Sequence, residues 1–115
     1  MNYTELFKKD DPVKGAIDTI LKALAGYKVN GFWLEVSGDP DDLEVTGATF
    51  RFGAGYYAGR STTIKVDFGD FMDATIRSAH LYETVDVHTR DPNLIAKVAL
   101  DMHARWYGKE EENDE

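Results

Sequence analysis

Apolar residues in this 115-residue chain change their spacing along its length, and that change constrains the fold more than any single motif. Near both ends they recur every three or four residues, which is the spacing of one helix face. Over much of the middle they alternate with polar residues, which is the spacing of a half-buried strand. The pattern therefore predicts an α+β domain in which helices pack against a small, mainly antiparallel sheet.

Two helices with the same start signal are predicted, one towards each end of the chain. Asp11–Pro12 and Asp91–Pro92 each precede an apolar stripe. Aspartate accepts hydrogen bonds from the free backbone N–H groups of a first turn, and proline fits that turn because its missing N–H is not needed there. Gly26 and Gly108 follow the stripes, and glycine readily takes the left-handed conformation that ends a helix.

Four strands and one further helix are predicted between these helices. Alternating apolar residues mark strands over residues 31–38, 43–53, 61–69 and 82–89. Between Val45 and Phe50 the apolar positions switch from odd to even numbers, which predicts a bulge near Gly47.

The further helix is predicted over residues 69–81, with Asp70 as its cap and Met72, Ile76 and Ala79 as its apolar stripe. The full order of elements is therefore α-β-β-β-α-β-α. Residues 1–108 form the predicted single domain, and residues 109–115 form an acidic tail that we expect to be disordered.

Composition limits the compartment and the chemistry of the protein. The chain has no cysteine, which excludes disulfides and thiolate metal sites and indicates a reducing, cytoplasmic location. No apolar run reaches 10 residues, so neither a signal peptide nor a membrane span is expected.

The net charge of −8 is concentrated in two places. Residues 29–50 carry −5 and no basic residue, and residues 109–115 carry −4, whereas the rest of the chain is close to neutral. A protein that binds a nucleic-acid backbone needs clustered basic groups to displace counterions. Direct nucleic-acid binding is therefore not expected.

One stretch, FRFGAGYYAGRS at residues 50–61, matches a dinucleotide-binding pattern at Gly53, Gly55 and Ala58. That pattern functions where a strand leads into a helix whose N-terminus faces a pyrophosphate. Here an alternating, β-branched run follows, which predicts a strand. The stretch is therefore interpreted as a hairpin loop and the match as accidental.

Tyr56 and Tyr57 lie in this predicted loop. Adjacent residues of an extended chain point to opposite sides, so at least one of the two rings should lie at the surface. Tyrosine is enriched in binding hot spots, and Arg60 adds hydrogen-bond donors beside it. The alternative interpretation is that one ring covers the sheet edge and the other is merely exposed.

Metal and catalytic sites find little support in the sequence. With Asp39 at position 1, an EF-hand loop would place Leu43 and Glu44 where an acid and a glycine are required, so a solvated turn is favoured. Asp86 and His88 share a strand face, but their spacing does not show convergence with His80 or His103. No serine lies in a nucleophile elbow, so no cofactor, metal or enzymatic activity is predicted.

These features predict a small acidic protein-binding module that occupies a basic, nucleic-acid-binding surface of a partner protein. Phage anti-defence proteins (anti-CRISPR or anti-restriction) and toxin-immunity proteins have this character, as a likeness of class rather than of sequence. The predicted interface residues are Asp39, Asp41, Asp42, Glu44, Tyr56, Tyr57, Arg60 and Trp33.

Two alternatives stay open, and the domain is expected to be a monomer or a homodimer. One alternative is a dimeric secretion- or phage-assembly-type chaperone that holds an extended client on an apolar sheet face including Trp33. The other is a small metal- or ligand-binding enzyme domain that uses His80 and His88.

Overall fold

A computed structural model describes residues 11–53, 60–79 and 83–108. In chain order its elements are α1 (Pro12–Ala23), β1 (Val29–Asp39), β2 (Asp42–Gly53), β3 (Ser61–Phe68), β4 (Met72–Ser78), β5 (Thr84–Thr89) and α2 (Pro92–Tyr107). The five strands form one sheet in the order β1-β2-β3-β4-β5, and each pairs antiparallel with its neighbour. The predicted α+β class with an antiparallel sheet is confirmed. The predicted tail at 109–115 lies outside the described residues.

The element that follows β3 is strand β4, so the helix predicted over residues 69–81 is wrong. Met72 and Ile76 are four residues apart, and this spacing fits one face of a helix and one face of a strand equally well. Ala74 between them is also buried, whereas Ala79, the third member of the predicted stripe, is exposed. Burial therefore alternates along β4, whose backbone is paired with β3 on one side and β5 on the other.

Both helices begin where the sequence predicts. Asp11 accepts a hydrogen bond from the backbone N–H of Val13 at 2.9 Å, and Asp91 accepts one from Asn93 at the same distance. In each case proline occupies the first turn. The Asp-Pro signal therefore identifies both N-termini correctly.

The two helices end differently. Gly108 caps α2, as predicted, with a φ of +72° that favours glycine. α1 ends at Ala23 with Leu24 as its cap, so the predicted stop at Gly26 is wrong. The N–H of Leu24 bonds to the carbonyls three and four residues before it, which closes the last turn without a left-handed residue.

The hydrophobic core lies between one face of the sheet and the two helices. Its largest fully buried apolar side chains are Ile17, Ile20, Leu24, Phe50, Phe52, Ile64, Val66, Ile76, Ile95 and Met102. Full burial of each such side chain stabilises the fold by about 1.5–3 kcal/mol relative to exposure. Both helices lie on this side of the sheet, so neither covers its opposite face.

The predicted bulge is present in the pairing of β1 with β2. Glu35 pairs with Gly47 and Val36 pairs with Val45, which leaves Thr46 as the extra residue. A Cβ at position 47 would lie 2.6 Å from the Glu35 carboxylate and 3.0 Å from the Val66 carbonyl, so the close approach of the strands favours glycine there. The bulge changes which residues of β2 face the core.

Neither helix in the described part of the chain has the length and apolarity needed to cross a membrane.

Candidate interaction surface

The sheet has one face covered by the helices and an opposite face, which we call the outer face. Strand register places alternate residues of all five strands on the outer face. Those that are exposed or half-buried include Trp33, Thr49, Arg51, Thr63, Lys65, Thr75, Arg77, Asp86 and His88. Apart from Trp33 this set is polar, as expected for a sheet face in contact with water.

The hairpin formed by β1 and β2 ends in a segment that we call the acidic arm, residues 35–44. Every residue of the arm is exposed, although the two strands pair along its whole length. In a two-layer domain one face of each strand is normally covered. Exposure of both faces means that the arm extends past the helix layer.

A two-residue turn closes the acidic arm. Asp39 pairs with Asp42, and Pro40 and Asp41 connect them. Gly38 has φ of +103°, a left-handed backbone angle that side chains disfavour, and a Cβ there would collide with the backbone carbonyl of Asp42. This turn therefore depends on glycine.

The arm carries five carboxylates and no basic residue. They belong to Glu35, Asp39, Asp41, Asp42 and Glu44. None of the five forms an ion pair with a Lys, Arg or His in the described part of the chain. The arm therefore presents uncompensated negative charge to solvent.

Two apolar side chains lie beside these carboxylates. Val36 is 45% exposed and Leu43 is 39% exposed. Because Val36 pairs with Val45 and Gly38 with Leu43, both apolar side chains lie on the strand face that leads into the core. The arm therefore has an apolar side as well as acidic groups.

Trp33 stands near the base of the arm, on the outer face of the sheet. Its side chain is 50% exposed, and the Arg51 guanidinium lies over its ring at 5.4 Å from the centroid. Arg51 also donates from Nε to Asn30 Oδ1 at 3.1 Å. The indole is therefore at the surface, as a role in binding requires.

The glycine-tyrosine segment connects two antiparallel strands. Gly53 at the end of β2 pairs with Ser61 at the start of β3, so a strand and not a helix follows the segment. The geometry that a dinucleotide loop needs is therefore missing at this point. Tyr56 and Tyr57 lie outside the described residues.

Arg60, which the sequence places in the interface, contacts the C-terminal end of α2. Its Nη2 donates to the backbone carbonyl of Tyr107 at 3.1 Å. A cation at this end of a helix also complements the partial negative charge of the terminal carbonyls. The described contact of Arg60 thus links the start of β3 to α2.

The histidines do not gather around a common centre in the part of the chain that is described. No group of three acidic, histidine or cysteine side chains there could hold a metal ion, and His80 lies outside that part. Asp86 and His88 share the outer face of β5, as predicted. Asp86 accepts a hydrogen bond from Thr75 Oγ1 at 3.1 Å, and His88 Nδ1 pairs with Asp73.

His103 is fully buried, a position that was not predicted from the sequence. Its Nδ1 lies 2.8 Å from Thr62 Oγ1, and the rings of Tyr27, Phe52 and Tyr107 pack within 5.4 Å of its ring, centroid to centroid. Burial, with a smaller effect of the nearby Arg60 charge, lowers the pKa of His103 to about 4. Its spacing of seven and four residues from buried Ala96 and Ala99 was the signal that could have placed it.

Glu83 connects the segment before β5 to the end of α2. Its carboxylate accepts hydrogen bonds from Arg105 Nη2 at 2.8 Å and Trp106 Nε1 at 2.8 Å. These hydrogen bonds hold the pKa of Glu83 below its usual value. Both donors are side chains of α2, so the contact stabilises the docking of its last turn.

No protein-family model matches this chain. No curated protein and no solved structure matches it either. Function must therefore be inferred from the surfaces themselves.

Proposed function

We propose that this chain is a small, non-enzymatic protein-binding module whose acidic arm occupies a basic surface of a partner protein. The observation that supports the proposal is the arm itself, ten consecutive exposed residues with five carboxylates and no base. Pairing of the two strands holds these carboxylates in a defined arrangement before binding. A preorganised surface loses less conformational entropy on association than a flexible acidic segment does.

Charge and apolar contacts have separate roles in this proposal. The carboxylates attract a basic partner and disfavour acidic ones, which sets association rate and specificity. Val36, Leu43 and Trp33 supply apolar contact area, which contributes most of the affinity in many interfaces. Tyr56 and Tyr57 remain predicted members of the same interface.

The partner class follows from the charge that it must carry. Basic protein surfaces of the size of a hairpin commonly bind nucleic-acid backbones. A domain that covers such a surface would act as an antagonist, in the manner of anti-CRISPR, anti-restriction or immunity proteins. We place this activity in the cytoplasm, consistent with the cysteine-free sequence, and assign no direct nucleic-acid contact to the arm.

The chaperone and the metal-dependent enzyme find less support among the described residues. A client-binding chaperone needs an apolar sheet face, whereas the outer face is polar apart from Trp33 and Phe71, which stacks on His88. A metal enzyme needs several converging ligands, and no group of three acidic, histidine or cysteine side chains within the described ranges, which leave out His80, could hold a metal ion. A stable homodimer in sedimentation experiments would favour the chaperone interpretation.

Site-specific crosslinking tests the proposal and identifies the partner. A photoreactive residue is placed at Ser37, in the arm, or at Asn93, on the exposed side of α2. Each protein is added to extract from the source organism or its host. We expect one protein to crosslink from position 37 and not from position 93.

Charge-matched variants then test how the partner binds. In the arm variant Asp39, Asp41 and Asp42 become Asn and Glu44 becomes Gln. In the control variant four exposed aspartates elsewhere become Asn: Asp67, Asp70, Asp86 and Asp101. We expect the arm variant to lose at least about tenfold in affinity, because each close charge pair contributes a coupling energy on this scale. Equal losses in both variants, or no loss in either, would contradict the proposal.

A further inference from the structure

A basic pocket lies on the outer face of the sheet, across strands β2, β3 and β4. Its volume is about 360 Å³. The lining side chains that matter here are Thr49, Arg51, Thr63, Lys65 and Arg77, and we call this set the basic pocket. Three cations in one pocket are unexpected in a chain with a net charge of −8.

Strand register brings the three cations together around one hydroxyl. Thr63 pairs with Arg51 on one side and with Arg77 on the other. Neighbouring strands lie about 4.8 Å apart, so the two arginines flank Thr63 at that spacing. Lys65 is two residues further along β3, about 7 Å from Thr63, and projects from the same face. Thr49 pairs with Lys65 and adds a second hydroxyl.

The positive charge of the basic pocket is not neutralised by carboxylates. Within the described ranges no ion pair is formed by Arg51, Lys65 or Arg77. Arg51 is instead held by the neutral Asn30 side chain and by the Trp33 ring. Fixing one guanidinium with neutral partners orients its donors and leaves its charge available.

Acidic residues on the same face lie at the Lys65 end of the basic pocket, on the side away from Arg51 and Arg77. Asp67 and Asp73 pair with each other across β3 and β4, further along the strands than Lys65. Asp86 lies opposite Thr75, level with Lys65, and accepts a hydrogen bond from the Thr75 hydroxyl, whereas Asp73 contacts His88. The outer face is thereby divided into a basic part around Thr63 and an acidic part around Asp67.

We propose that the basic pocket binds a compact dianion of the phosphate-monoester class. Arginine offers a planar fork of N–H donors that matches two phosphate oxygens. Lysine adds a positive charge on a flexible side chain that can adjust to the position of the ligand. The threonine hydroxyls lie between the cations and complete the set of donors. This site is separate from the acidic arm, and the proposal does not depend on the arm's partner.

An NMR titration of the full chain tests the proposal. Inorganic phosphate, AMP and a single-stranded oligothymidine are each added at constant low ionic strength, because salt screens exposed charges. Backbone amides and arginine Nε–H groups report the site of binding. We expect phosphate and AMP to cause saturable shifts centred on Thr63, Lys65 and Arg77.

Matched variants separate a defined pocket from general charge attraction. Lys65→Gln and Arg77→Gln should each weaken AMP binding at least about tenfold, since hydrogen bonds to charged groups are stronger than neutral ones. The controls Lys22→Gln and Arg90→Gln remove the same charges elsewhere and should leave affinity within about twofold. Thr63→Val should also weaken binding, and dispersed amide spectra verify that each variant is folded.

Three results would overturn the proposal. The first is an absence of saturable shifts with phosphate and AMP. The second is an equal effect of the pocket and control variants, which would indicate attraction without a site. The third is binding of the oligothymidine alone, which would indicate an extended polyanion surface instead of a pocket for one phosphate group.

Discussion

His103 shows how a single buried residue can control the response of the domain to pH. It lies in the core, with Nδ1 at 2.8 Å from the Thr62 hydroxyl, and aromatic rings surround it. Protonation would place a charge in this apolar site, so the folded state keeps the ring neutral until about pH 4. The unfolded chain has no such restriction and binds a proton near pH 6.5.

Stability should therefore fall as the pH decreases from about 6.5 to about 4. In this window the unfolded state binds one more proton than the folded state at His103, and the loss reaches about 3 kcal/mol. Urea unfolding at several pH values measures it. His103→Asn keeps a polar atom towards Thr62 and cannot titrate, so its stability should change less across the window. Parallel curves for both proteins would contradict this assignment.

Residue-scale predictions from sequence succeeded where the signal is local. Asp11 and Asp91 cap their helices because a short polar side chain before proline satisfies nearby backbone groups, whatever the rest of the fold does. The hydrogen-bond partner of His103 is a tertiary property. Thr62 is 41 residues away in the chain, so no local pattern could reveal their contact, although helical spacing from Ala96 and Ala99 indicated the buried side of α2.

At the scale of elements, β4 shows the limit of apolar spacing as a guide. Met72 and Ile76 are four residues apart, which fits both the 3.6-residue repeat of a helix and the two-residue repeat of a strand. Pairing with β3 and β5 decides between the two, because it satisfies the backbone on both sides of the segment. The bulge at Thr46, in contrast, could be predicted. The buried positions of a regular strand keep odd or even residue numbers throughout, and an extra residue switches them from one to the other.

Two substitutions distinguish the strand from the helix in solution. Ala74→Lys should destabilise the domain by about 3 kcal/mol or more, because Ala74 is buried against the core and a charge there has no partner. Ala79→Lys should change stability by less than about 0.5 kcal/mol, because Ala79 is exposed. The predicted helix would give the reverse order. Urea unfolding of both variants at pH 7 provides the comparison.

The two candidate sites differ in how far the sequence predicted them. The negative charge of the acidic arm could be predicted from the sequence, because residues 29–50 contain no basic residue. The exposure of both faces of the arm could not be predicted from the sequence. The basic pocket was not visible, because Arg51, Lys65 and Arg77 lie on three different strands. Their meeting depends on the register of those strands, which sequence spacing does not determine.

For the molecule as a whole, β1 and β5 form the two edges of the sheet within the described ranges. Edge strands favour association with other strands unless charge or bulges prevent it. On β1, Glu35 and Asp39 supply like charge, and the extra residue Asn30, between Val29 and Gly31, interrupts a regular edge. The acidic arm can therefore protect the domain from self-association as well as bind a partner.

Neutralising the arm should consequently promote self-association. We expect the variant with Asn at 39, 41 and 42 and Gln at 44 to form dimers or larger species at concentrations where the unaltered chain does not. Sedimentation velocity at low and high salt measures this. The charge-matched control at Asp67, Asp70, Asp86 and Asp101 should remain as dispersed as the unaltered chain. Greater association of the control than of the arm variant would contradict this role.

The last turn of α2 has a practical consequence for anyone who attaches a reporter to this domain. Tyr107 receives a hydrogen bond from Arg60 at its carbonyl and one from Ala79 at its hydroxyl, and Glu83 holds the two residues before it. A dye or bulky group attached at Tyr107 or Gly108 would strain all of these attachments at once. A label at Asn93, on the exposed side of α2, would leave them undisturbed.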